Sequence, residues 1–122
     1  HTLGLNHNMR SSQLHSKDKV QSIMPSDNLP LTGSVMEYPA INFAPNGKKQ
    51  GLYYTTMTGP YDDWVIEYGY SESLNDAKAE QQRLNKILAR STEPGNAFGN
   101  DADDMRSPGK AIDPRVNIYD LS

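Results

Sequence analysis

The chain has 122 residues, 35% of them hydrophobic and 22% charged, with a net charge of −3 and no cysteine. This is one domain or part of one. The slight negative charge gives no electrostatic case for nucleic acid or an anionic membrane. The lack of cysteine excludes disulfides and thiolate metal sites, and no run approaches the length of a membrane span.

In chain order, the first element is a spacing. His1, Gly4 and His7 read H-x-x-G-x-x-H, the second half of the long zinc-binding signature H-E-x-x-H-x-x-G-x-x-H. In the full signature the first two histidines stand four apart on one helix face, so both imidazoles reach one metal. A straight helix cannot deliver the third: six residues advance it by about 9 Å and about 600°. The helix must stop and the chain must turn back, and Gly4 stands where a residue that accepts positive φ is needed. Residues 2–5 are thus expected to be the last turn of an active-site helix. The first histidine and the glutamate that serves as general base are expected ahead of His1. A chain that begins inside a motif could show no signal peptide. Taken alone, the pattern also fits two unrelated surface histidines.

Residues 8–33 are rich in Ser, Asn, Lys and Asp and read as a long surface loop. Such a loop either shapes a substrate cleft or is a mobile insertion without a role. A short helix is expected within residues 16–24, and Pro25 and Pro30 punctuate the stretch after it. Ser34 before Met36, and Tyr38-Pro39 after it, favour a turn over a strand interior. Residues 40–45 are extended, residues 45–49 form a turn, and residues 52–56 have the composition of a short strand or extended segment. No second strand is evident nearby.

Residues 59–69 read as a helix: Pro60 suits the first position, Asp62 and Asp63 complement the positive helix start, and Gly69 suits the stop. Tyr61, Trp64 and Tyr68 form one aromatic stripe, for which core packing is a simpler reading than substrate stacking. The longest helix is expected over residues 74–90, with Ser73 and Asp76 as a capping box and an apolar face of Leu74, Ala77, Leu84, Ile87 and Leu88. Pro94 and Gly95 should stop it. In the acidic tail, Asp101, Asp103 and Asp104 could offer carboxylates to Ca2+, although the twelve-residue calcium-loop pattern is missing. An exposed acidic loop is the alternative. Residues 113–117 read as a turn in which Arg115 could pair with a tail carboxylate. The fold class expected is mainly α with long irregular loops and little or no sheet.

Four segments taken together resemble a known family. They are His1-Thr2-Leu3-Gly4-Leu5-Asn6-His7-Asn8-Met9-Arg10, Ser34-Val35-Met36-Glu37-Tyr38-Pro39-Ala40, Gly59-Pro60-Tyr61-Asp62-Asp63-Trp64 and Ile112-Asp113-Pro114-Arg115-Val116-Asn117. They look like large bacterial zinc-dependent metalloproteases of metzincin type, and the likeness covers nearly the whole chain in order. The resemblance implies that residues 1–122 are the C-terminal part of a metzincin-like zincin catalytic domain. It implies that His1 and His7 are the second and third ligands of a Zn2+ ion. Met36 is then the methionine of the Met-turn, an apolar floor under the ligands suited to an unbranched, polarizable side chain. Tyr38, two residues on, holds the position of a tyrosine that can swing toward the metal and support the transition state.

The function this implies is a zinc metalloendopeptidase acting on a peptide or protein substrate, secreted or in the cell envelope. The alternative is a noncatalytic binding or structural module with a degenerate histidine pattern. The chain by itself, lacking one ligand and the base, is expected to be inactive and to bind zinc weakly. Without the other half of the domain as its partner, it is also expected to expose apolar surface and self-associate. No other catalytic constellation competes: there is no thiol nucleophile, no G-x-S-x-G and no glycine-rich phosphate loop.

Overall fold

The computed structural model describes residues 1–100. Among them are three α-helices, α1 (Lys17–Ser22), α2 (Pro60–Tyr70) and α3 (Ala77–Ala89), with short 3-10 turns at Ser11–Leu14, Pro25–Asp27, Arg90–Thr92 and Pro94–Asn96. The rest is irregular chain. No β-strand occurs among the described residues, and no helix there is long and apolar enough to cross a membrane. This is a mainly α architecture with long irregular loops.

Local chemistry accounts for each helix. The Ser16 hydroxyl accepts from the Lys19 N–H at 3.3 Å and starts α1. Pro60 opens α2 where its missing N–H costs nothing. This helix runs past Gly69 to Tyr70 and ends where Ser71 turns extended. The third helix begins later than the sequence suggests. Asp76 is its N-cap, accepting from the Ala79 N–H at 2.8 Å, so Ser73 and Leu74 lie outside it. A single short acceptor at the helix start replaces the expected capping box.

The helices α2 and α3 pack on each other. The Trp64 indole N–H donates to the Ile87 carbonyl at 2.7 Å, and Ile87 is buried. Arg90 pairs with Glu67 across the same junction. The apolar face predicted for α3 is only partly covered: Leu74 is 49% and Leu88 41% exposed. The aromatic stripe also divides. Tyr61 is buried and stacks on Phe98, with ring centroids 5.9 Å apart, whereas Tyr68 faces outward at 40% exposure.

Residues 8–33 depart most from expectation. Residues 16–19 and 25–28 are exposed as a surface loop would be, but both ends of the stretch turn inward, and Met9 and Ile23 are fully buried at 0% exposure. The chain folds back over them. The Gly33 N–H donates to the Ser11 carbonyl at 2.7 Å, Leu52 N–H to Ile23 at 3.1 Å, and Tyr61 N–H to Gly33 at 2.9 Å. The crossing is so close that a Cβ on Gly59 would sit 2.2 Å from the Gly33 oxygen, so only glycine fits there. Much of the interior is polar: Asn8, Ser11, Ser12, Thr32, Ser34, Glu37, Asp62 and Asn96 are buried, and hydrogen bonds make that burial tolerable.

Candidate metal centre

The opening segment turns as its spacing requires. The Gly4 N–H donates to the His1 carbonyl at 2.8 Å, and Gly4 has φ of +85°, a value that L side chains rarely adopt. This reversal returns His7 to His1. Their Nε2 atoms lie 3.0 Å apart, with ring centroids 4.6 Å apart and the rings edge to face. His1 Nδ1 lies 3.0 Å from the Leu5 carbonyl oxygen. That oxygen can only accept, so Nδ1 carries the proton and a neutral His1 presents the Nε2 lone pair. The Tyr38 hydroxyl stands 3.0 Å from His7 Nε2, and its ring packs edgewise on that imidazole at 4.7 Å.

Three groups thus converge on one point at the surface. Two nitrogens on a tetrahedral zinc ion, each bound at about 2.0–2.1 Å, lie about 3.3 Å apart. The observed pair is close to that spacing, so the two imidazoles fit two corners of such a site. Among the described residues no group of three or more His, Cys, Asp or Glu side chains could hold a metal ion. Asp101, Asp103, Asp104 and Arg115, singled out in the sequence, lie outside the described residues.

Polar groups hold this arrangement together, and the backbone of Met36 is bonded among them. The Asn8 N–H, next to His7, donates to the Met36 carbonyl at 2.9 Å. The Asp62 carboxylate reaches back from α2, 4% exposed. It accepts from the Ser34 hydroxyl at 2.6 Å, the Val35 N–H at 2.8 Å and the Gly59 N–H at 3.0 Å. Ser34 Oγ in turn accepts from the Met36 N–H at 2.9 Å. One side chain therefore caps α2 and anchors the turn carrying Met36. Sequence reasoning assigned Asp62 only to the helix start. Its second role depends on contacts that no local pattern encodes.

Glu37 is a second such group. One carboxylate oxygen accepts from the Ser11 hydroxyl at 3.2 Å and the Ser12 N–H at 3.1 Å. The other accepts from the Tyr38 N–H at 3.0 Å. Burial pushes the Glu37 carboxyl above its ordinary 4.5, against these hydrogen bonds, which pull it down. A carboxyl raised in the folded state takes up its proton there first as pH falls. The folded state then gains stability on descending through the raised value, fully so below 4.5, and carries the penalty at neutral pH. The urea midpoint of the unaltered protein should therefore rise relative to Glu37→Gln as pH is lowered from neutral. A difference between the two that does not change with pH would contradict this.

An open groove of about 410 Å³ follows the turn, lined by Val20, Leu31, Pro39, Ala40 and Ile41 among others. It starts at the residue after Tyr38 and is mostly apolar.

In comparison with known proteins, a family model described as Met-zincin matches residues 1–122. No curated protein and no solved structure matches.

Proposed function

Since this chain belongs to the Met-zincin family, we propose that it is the C-terminal part of the catalytic domain of a zinc metalloendopeptidase. The observation that carries the reading is the approach of His1 Nε2 to His7 Nε2 at 3.0 Å, with the Tyr38 hydroxyl on the same His7 atom. His1 and His7 are two protein ligands, and Met36 lies in the turn that underpins them. The remaining histidine and the glutamate base belong to an H-E-x-x segment ahead of His1. The exposure of Leu3, Tyr70 and Phe98 beside this loop fits a surface covered by that half of the domain.

Zinc, when held, supplies Lewis-acid polarisation of a peptide carbonyl and activation of water. The residues of this chain do the rest. The Leu5 carbonyl keeps the His1 ring in the tautomer that offers Nε2. The Asp62 and Glu37 bonds fix the turn so that Tyr38 stays within reach of His7. In the reaction Tyr38 leaves His7 and donates its hydroxyl proton in a hydrogen bond to the oxyanion that develops on the scissile carbonyl. The apolar groove beginning at Pro39 takes an apolar side chain of the bound peptide.

The test uses the full polypeptide that carries this chain and an unstructured peptide substrate. Hydrolysis should stop on chelation and return with zinc, and Tyr38→Phe should lower kcat by about 100-fold with little change in KM. The 122 residues alone should show no hydrolysis. A zinc-replete full polypeptide that cleaves no peptide would sink the reading in favour of a noncatalytic module.

A further inference from the structure

Asn8 comes directly after His7 in the sequence and is fully buried at 0% exposure. A buried carboxamide needs partners for its donors and its acceptor, and Asn8 finds two of them in chain about ninety residues away. Its Nδ2 donates to the Ala97 carbonyl at 2.9 Å. Its Oδ1 accepts from the Gly99 N–H at 3.2 Å and the Arg10 N–H at 3.2 Å. Its backbone contributes on both sides: the N–H donates to the Met36 carbonyl at 2.9 Å, and the carbonyl accepts from the Ser11 hydroxyl at 2.8 Å. The next residue completes the clasp, Met9 N–H donating to the Gly99 carbonyl at 2.6 Å.

The loop carrying His7 is thus held between two structures, the turn bearing Met36 and a strap formed by residues 97–99. His7 itself is half-buried and meets His1 and Tyr38 at its Nε2, while the backbone that carries its ring is fixed by Asn8. From this we infer that Asn8 is the positioning residue of the His7 ligand, and that metal occupancy and the clamping of the strap are coupled through it. The inference rests on the zinc reading above.

Coupling of this kind is reciprocal. Asn8→Asp keeps the shape and the acceptor but sets a carboxylate oxygen against the Ala97 carbonyl. In the full polypeptide it should weaken zinc binding by about 10- to 100-fold, the range for groups that orient a metal ligand, measured by competition with a chromogenic chelator. Asn42→Ala, which removes a half-buried amide bonded to the Val20 and Leu52 carbonyls, should leave zinc affinity unchanged and controls for general destabilisation. If Asn8→Asp does not fold, hydrogen exchange on the unaltered protein reads the same coupling: zinc should slow exchange at the Met9 and Gly99 amides. Unchanged affinity in Asn8→Asp, or unchanged exchange at both amides on zinc saturation, would overturn the positioning role and leave the zinc reading standing. An unaltered full polypeptide that binds no zinc would overturn both.

Discussion

Asp62→Ala should cost about 3 kcal/mol of folding stability, read as a lowered urea midpoint with an unchanged slope. The substitution leaves the Val35 and Gly59 N–H groups and the Ser34 hydroxyl without their acceptor. A buried donor left unmade costs about 1–3 kcal/mol, and loss of a helix N-cap interaction adds about 1 kcal/mol. Against this, removing a buried carboxylate returns part of its desolvation cost, which keeps the net below the sum. On a domain stability of about 5–15 kcal/mol, that is a large fraction. Asp62→Asn should fall between, because the amide keeps an acceptor but turns an N–H2 toward one of the donors. A loss below about 1 kcal/mol in Asp62→Ala would mean that the turn carrying Met36 is held by something other than this carboxylate. That turn and α2 would then be independent units, and the link between the helix pair and the histidine loop would fail.

Signals that act within a few residues were legible in the sequence. Gly4 was expected to turn the chain between two histidines, and it does so at positive φ. Pro60 marked the start of α2 and Ser16 the start of α1. The likeness of the four segments to metzincin-type proteases pointed to the family that the chain belongs to. What escaped were contacts between distant residues and burial that runs against polarity. Residues 8–33 looked like surface because they are polar, yet Asn8, Ser11 and Ser12 are buried with Met9. Hydrophobic periodicity is blind to an interior satisfied by hydrogen bonds. The long-range roles of Glu37 and Asp62 had no local mark, since in them each accepts from donors more than twenty residues away. The stripe of Tyr61, Trp64 and Tyr68 had the correct helical spacing, but α3 and Phe98 cover only part of it, leaving Tyr68 exposed.

The second large effect belongs to His7. Its Nε2 meets both the His1 Nε2 and the Tyr38 hydroxyl, each at 3.0 Å, so this one ring joins the two other groups of the proposed site. Loss of an outer group that only orients a ligand weakens a metal site by about 10- to 100-fold. Loss of the ligand itself should exceed that. The fold should tolerate His7→Ala, because the ring is only half-buried and the Asn8 clasp is untouched. His15 offers the control: its Nε2 bonds the Pro30 carbonyl at 3.1 Å and it lies outside the proposed site. The decisive measurement is the zinc content, by atomic emission, of the full polypeptide and of its His7→Ala and His15→Ala variants, each purified folded. About one zinc per chain in the unaltered protein and in His15→Ala, with none in His7→Ala, is the predicted result for a three-ligand site. Full zinc occupancy in His7→Ala would contradict the account.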